Sequence, residues 1–286
     1  MKNIFLKTSL YITTLLLGLS YYEYRKDYSR IKAFSNYKYK EVIKKFTIKS
    51  NNRNIYAEYL RPKSINGELP LIICTHGLDS STTFMKRLCG LSLVRSGFAV
   101  LVFDFCGGAL NTKSDLSMNE MDINTEIEDL NEVIDYIKEL EDIDTRNIYL
   151  LGESLGALVS AIVAKKREEE INGLILYYPA FSLPDTIKKH NNDKYELFGF
   201  KLSKSFFTTL IDRDVYKECE GFGKAVLLMH GTSDDKVNIE YARKAKDIYP
   251  NIRYIEYENE IHDFKAGGKA KAVEEVYDFI IKNNIL

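Results

Sequence analysis

Net charge is what this chain has least of: 40 Lys and Arg stand against 41 Asp and Glu, a formal charge of −1. No overall field therefore recruits nucleic acid or draws in an acidic substrate. Cysteine is sparse too. The four thiols, Cys74, Cys89, Cys106 and Cys219, show no C-x-x-C spacing, so neither a zinc site nor a thioredoxin-like pair is suggested. Cys74 lies inside an apolar run and reads as a small buried hydrophobe. Scattered thiols of this kind lean toward a reducing compartment. Repeats and low-complexity tracts are missing, and 45% hydrophobic with 28% charged residues excludes a disordered chain. What is present is 286 residues, enough to bury one large core or two small ones.

The first segment is the least globular. Thr8 to Tyr22 carries no charge and is rich in Leu; with Ile4 to Leu6 added and Lys7 snorkelling it approaches the length of a membrane span. Three readings stay open: a single transmembrane anchor, a signal peptide removed on secretion, and an ordinary packed helix. Arg25, Lys26, Arg30, Lys32, Lys38 and Lys40 follow the segment and outnumber Lys2 and Lys7 before it. By the positive-inside rule that holds the rest of the chain in the cytoplasm, whereas an export signal places it outside. The expected organisation is a hydrophobic anchor or signal over residues 1–22, a stem helix over 23–44, and a globular domain over 45–286 with an inserted segment at about 180–223.

That domain opens with two alternating strands, Lys45 to Lys49 and Ile55 to Leu60, around the turn Asn51-Asn52-Arg53-Asn54. Leu69 to Thr75 is a continuous apolar run, as in a strand buried on both faces. A helix at about Phe84 to Ser96 and a strand from Phe98 to Phe105 follow. Ile123, Ile127, Leu130, Ile134 and Ile137 mark an amphipathic helix over Asn119 to Leu140. Beyond it come strands at Asn147 to Leu151, Gly173 to Tyr178, Ala225 to His230 and Ile252 to Tyr257. Helices are expected at Val237 to Tyr249 and Ala270 to Ile281, and Pro179 to Gly223 reads as irregular. Strands alternating with helices mean a mostly parallel central sheet with helices on both faces, an α/β architecture. Sites in such sheets gather at the carboxyl ends of the strands.

At one such end the run Asn147 to Leu151 drives into Gly152-Glu153-Ser154-Leu155-Gly156, and a helix rich in small residues leaves it. A strand that turns sharply into a helix leaves no room for side chains beside the turn, which explains Gly152 and Gly156. The pentapeptide alone is a weak signal; a strand before it and a helix after it are the context that makes Ser154 a candidate nucleophile. A serine needs a base, and the base needs a partner that sets its tautomer. His76 and His230 end strands as His-Gly and read as structural, His190 lies in the insert, and His262 follows the last strand, so His262 is the candidate base. The acid belongs on the loop Gly231-Thr232-Ser233-Asp234-Asp235-Lys236. Both aspartates qualify chemically; if Val237 opens the apolar face of the next helix, Asp234 faces inward and Asp235 caps that helix. Two converging N–H donors for an oxyanion are expected from Leu155 and, beside Gly77, from Leu78.

Taken together, His76-Gly77-Leu78, Phe103 to Gly108, Gly152 to Gly156, His230 to Asp234 and His262-Asp263-Phe264 resemble the α/β-hydrolase superfamily. Within it the chain is similar to bacterial serine esterases of the cinnamoyl (feruloyl) esterase-like and prolyl-oligopeptidase-like group, from about Lys45 onward. The resemblance implies an α/β-hydrolase fold and a triad of Ser154, Asp234 and His262. It also implies an oxyanion hole from the Leu78 and Leu155 N–H groups, and ester cleavage with no metal or organic cofactor. Small-molecule esters would be the substrates; the N-terminal segment, through which membrane association is expected, lies outside the resemblance. Serine peptidase or amidase action is the second reading, and a membrane-tethered binding protein on a retired hydrolase scaffold the third. Cys106 stands where many members have Arg, and is either a site-bordering thiol or a packed turn residue. In this group the insert forms a lid over the acyl pocket. Here it carries Tyr195, Phe198, Phe200, Phe206 and Phe207, which suit an apolar acyl group but read mostly as packing.

Overall fold

The computed structural model describes residues 38–50, 53–189 and 195–284. The hydrophobic segment, most of the stem and His190 lie outside them. Among the described residues no helix is long and apolar enough to cross a membrane.

Strand β1 (Glu41–Ser50) pairs antiparallel with β2 (Arg53–Pro62). Residues 41–44, expected to belong to a stem helix, are strand instead. The physical reason lies across the ladder: Glu41 pairs with Pro62, and its carboxylate takes two hydrogen bonds from Arg95 at 3.0 and 2.8 Å. Strand β3 (Leu69–Thr75) ends one residue before His76. Helix α1 (Thr82–Met85) continues through a π-helical turn, Lys86–Gly90, into α2 (Leu91–Arg95). Strand β4 (Ala99–Phe103) follows, then α3 (Ile123–Ile137). α3 starts at Ile123 and not at Asn119 because Asp122 caps it, its carboxylate accepting the N–H groups of Asn124 and Thr125.

Strand β5 (Ile143–Glu153) runs into α4 (Ser154–Lys166), and β6 (Gly173–Tyr177) comes next. The stretch read as irregular is mostly ordered into short pieces. It holds α5 (Leu183–Lys189), the hairpin β7 (Glu196–Leu197) and β8 (Phe200–Lys201), α6 (Lys204–Leu210) and α7 (Val215–Cys219). These helices span at most two turns, too short for a hydrophobic period to show in the sequence. Strand β9 (Ala225–Gly231), α8 (Ile239–Ala245), β10 (Ile252–Tyr257) and α9 (Ala266–Asn284) close the chain.

The main sheet runs β1-β2-β4-β3-β5-β6-β9-β10. β2 meets β4 antiparallel, and every pairing from β4 to β10 is parallel. The fold is thus the α/β-hydrolase fold, with helices on both faces of a mostly parallel sheet. Period-two alternation divides the central strands between two cores. Leu71 and Ile73 face the α3 and α4 side, while Ile72 and Cys74 face α2 and α9, and all four are fully buried. Each aliphatic side chain so buried contributes roughly 2 kcal/mol. α4 is buried along every residue from Leu155 to Ala164. It lies between the sheet and α3, and the small residues Gly156, Ala157 and Ala161 let it come close. All four cysteines are free and buried.

Candidate active site

Ser154 sits where β5 becomes α4, in a left-handed backbone conformation with φ of 52°. A non-glycine residue held there is strained, and packing on both sides enforces it. A methyl group on Gly156 would fall 2.4 Å from the His76 carbonyl oxygen, and one on Gly152 would fall 2.5 Å from the Ala157 Cα. The elbow therefore wedges between the end of β3 and its own helix. Further on, Ala180 N–H donates to Ser154 O at 3.0 Å, which folds the chain leaving β6 back over the turn.

Ser154, Asp234 and His262, far apart in the chain, meet at the carboxyl ends of β5, β9 and β10. His262 Nε2 is 3.1 Å from Ser154 Oγ, and His262 Nδ1 is 2.7 Å from Asp234 Oδ2. The imidazole is buried, and its ring centre lies 4.5 Å from that of Tyr178. The loops that carry Asp234 and His262 are zipped together: Thr232 N–H donates to Tyr257 O and Ser233 N–H to Glu260 O, each at 2.9 Å. Gly231 is what lets them meet, since a methyl group there would fall 2.2 Å from Glu260 O. Asp263 and Phe264, just after the histidine, both have positive φ, 69° and 46°.

The Asp234 side chain is fully enclosed and receives four donors. Lys236 and Val237 N–H reach Oδ1 at 2.9 Å each, while His262 Nδ1 and His230 Nε2 reach Oδ2 at 2.7 and 3.1 Å. Burial alone would raise this carboxyl, but the hydrogen bonds from His230, His262 and Val237 outweigh it and hold the group well below the ordinary range. Asp235 is exposed and does not cap the next helix. That role falls to Asn238, whose side chain accepts from Glu240 N–H, because the helix begins at Ile239 and not at Val237.

Leu78 and Leu155 both line a cavity of about 370 Å³ that opens on Ser154 and His262. Leu155 lies in the first turn of α4, where N–H groups have no partner within the helix. No acceptor engages the Leu78 N–H among the described residues. The cavity lining is of two kinds: Leu183, Phe198, Phe200, Phe206 and Val237 are apolar, and Asp79, Ser80, Ser81, Lys236 and Asp263 are polar or charged. Of the five insert aromatics, Phe198, Phe200 and Phe206 reach the cavity, whereas Tyr195 and Phe207 pack on each other with ring centres 5.5 Å apart. The insert is moored to the start of α3, where Ser203 Oγ donates to Met121 O at 2.6 Å and Arg213 Nη1 to Asn124 Oδ1 at 2.9 Å.

Sequence reasoning missed several groups. His230, set aside as structural, contacts the very carboxylate that holds His262; its spacing four residues before Asp234 was the available signal. Glu153 and Lys236 line the cavity, and Lys236 Nζ lies 3.5 Å from Asp263 Oδ2. Cys106 does not line it. Its N–H donates to Asp129 Oδ2 at 2.7 Å, and Arg53 supplies the nearby cation, 3.1 Å from Asp129 Oδ1. Among the described residues no group of three His, Cys, Asp or Glu side chains is placed to hold a metal ion.

A family model described as serine aminopeptidase, S33, matches residues 69–210. No curated protein matches the chain. Among solved structures, Est1E from Butyrivibrio proteoclasticus with ferulic acid bound is similar at TM-score 0.73 and 22% identity, over 82% of this chain and 99% of that one. Mouse alpha/beta hydrolase domain-containing protein 10 gives a TM-score of 0.65 at 20% identity, covering 84% and 99%. Acetyl xylan esterase 1 from Thermoanaerobacterium sp. gives 0.63 at 16%, covering 91% and 93%. At such identities what is shared is the fold.

Proposed function

We propose that this chain, which has the α/β-hydrolase fold, is a serine hydrolase of the α/β-hydrolase superfamily that cleaves carboxylic esters through an acyl-enzyme. One observation carries the reading: a single imidazole, His262, stands within hydrogen-bond distance of both Ser154 Oγ and the enclosed Asp234 carboxylate. Asp234 holds the proton on Nδ1, so Nε2 is free to take the hydroxyl proton as Ser154 Oγ attacks the carbonyl. The Leu155 and Leu78 N–H groups receive the oxyanion. His262 then returns its proton to the leaving alcohol, and a water activated by the same imidazole releases the acid.

The apolar lining residues Leu183, Phe198, Phe200 and Phe206 suit an apolar or aromatic acyl group. Ferulic acid, the ligand named for the Est1E structure, is an acid of that class. The polar lining residues Asp79, Ser80, Ser81 and Lys236 suit a hydroxylated alcohol. The peptidase or amidase reading keeps the support of the family model's description, because one triad serves both bonds.

The test is Ser154→Ala against p-nitrophenyl esters, with fluorophosphonate labelling of the wild type. Turnover should fall by about three orders of magnitude or more with the fold intact. Wild-type turnover in the variant, or no labelling of Ser154, would overturn the reading. Parallel aminoacyl-amide substrates separate esterase from amidase.

A further inference from the structure

The residue before the nucleophile is a buried acid that the proposed chemistry does not use. Glu153 ends β5 with 2% of its surface exposed, yet it borders the cavity. Its Oε1 accepts the Gly77 N–H at 2.7 Å. Both carboxyl oxygens lie 3.1 Å from the point where a Gly77 Cβ would sit, and Ser154 Cβ lies 3.0 Å from it, so the loop after β3 rests directly on the Glu153-Ser154 step.

Gly77 is the hinge of that loop, and it is held from both sides. On the far side its carbonyl oxygen accepts from His76 Nδ1 at 2.7 Å and from Ser80 N–H at 3.2 Å. The tautomer is consistent, because His76 Nε2 is occupied as acceptor of the Phe105 N–H at 3.0 Å. In a trans peptide the C=O and N–H point to opposite sides, so fixing the Gly77 carbonyl fixes the direction of the Leu78 N–H. Those contacts orient the peptide within its own loop; where it sits over the end of β5 is left to rotation at Gly77, a residue with no side chain to resist it. The hydrogen bond from Gly77 N–H to Glu153 removes that freedom.

We infer that Glu153 is a positioning residue for the oxyanion hole: its carboxyl holds the Gly77 N–H and thereby aims the Leu78 N–H at the carbonyl oxygen attacked by Ser154. One side chain, adjacent in sequence to the nucleophile, sets the distance between attacking oxygen and oxyanion donor. A buried carboxyl is costly, and burial raises this one above its ordinary value, with the Gly77 N–H acting the other way. An apolar side chain would avoid that cost but leave a buried N–H unpaired and the hinge loose.

The inference rests on Ser154 being the nucleophile and Leu78 an oxyanion donor. It is tested with Glu153→Met, which keeps the volume and loses the acceptor, and Glu153→Gln, which keeps a carbonyl oxygen for the Gly77 N–H. Steady-state kinetics on p-nitrophenyl butyrate are read beside inhibition by phenylboronic acid, a mimic of the tetrahedral state. Glu153→Met should lower kcat by about 30-fold or more and weaken the boronate by a similar factor, with KM within about threefold of wild type. Glu153→Gln should stay within about fivefold of wild type in kcat. Wild-type kcat in Glu153→Met, or equal losses in both variants, overturns the inference. If Glu153→Met does not fold, Glu153→Asp, which draws the carboxyl back by one methylene, replaces it: full kcat there overturns the inference, and a loss that Glu153→Gln lacks supports it. A wild-type chain that neither turns over esters nor takes up fluorophosphonate would sink the esterase reading instead, so the two failures are distinct.

Discussion

His230 Nε2 lies 3.1 Å from Asp234 Oδ2, the same oxygen that engages His262 Nδ1 at 2.7 Å. Two imidazoles thus converge on one carboxylate oxygen. The His230 N–H is shared with Val237 O at 2.9 Å, while its Nδ1 is buried without a hydrogen-bond partner among the described residues. His230 therefore ties the Asp234 carboxylate back to the end of β9. Replacing it with Leu should lower kcat on p-nitrophenyl esters by roughly tenfold, as expected for one hydrogen bond to a charged group. His230→Gln, whose amide can donate from nearly the same place, should recover most of that loss. Equal kinetics for the two variants would remove the hydrogen bond from the account.

The elbow makes a harder prediction. A methyl group on Gly156 would press on two backbone carbonyls, His76 O at 2.4 Å and Thr75 O at 2.6 Å, neither of which can swing away. Gly156→Ala should lower stability by about 3 kcal/mol or leave the chain insoluble. Thermal unfolding decides it. A variant with unchanged melting temperature would mean that the close approach of α4 to β3 is wrong.

Glu126 offers a pH-dependent test away from the cavity. It is fully buried on α3, and neither carboxyl oxygen finds a hydrogen-bond partner among the described residues. Burial first, then the charges of Asp129 and Asp122, push its pKa well above the usual value; Asp129, also buried, is pushed up to about 6. A carboxyl whose folded pKa exceeds its unfolded one contributes most to stability below the unfolded value, about pH 4, and that contribution is lost as pH rises through the folded value. Glu126→Met should therefore stabilise the protein by about 1–3 kcal/mol at pH 8 and by less at pH 5. Melting curves at the two pH values read the difference. A larger gain at pH 5 would contradict the assigned direction.

The insert phenylalanines should sort substrates. Phe200 is half-buried and Phe198 is 51% exposed, both on the cavity wall. Truncating both to Ala removes apolar contact for a large acyl group and little for acetate. kcat/KM for p-nitrophenyl butyrate or an aryl ester should drop by about tenfold relative to the acetate ester. Parallel losses on every ester would place these rings outside the acyl subsite.

Short-range physics made much of this protein readable in one dimension. Leu69–Thr75 has the bounds that its apolar run announces, and Ile252–Tyr257 has the bounds expected of it, because a strand's side-chain pattern is local. The turn at Ser154 was equally legible, since Gly152 and Gly156 report the crowding around it. Contacts made across the fold were not legible. Glu41 joins the sheet because Pro62 and Arg95 stand opposite it, and α5, α6 and α7 are too short to carry a period of their own. The same holds for His230 on the Asp234 carboxylate and for Glu153 under Gly77. Residue types along the chain specified which elements form and which groups could react. Only three-dimensional packing decided which of those groups touch, because a hydrogen bond between strand ends depends on where two backbones arrive, and no local pattern encodes that.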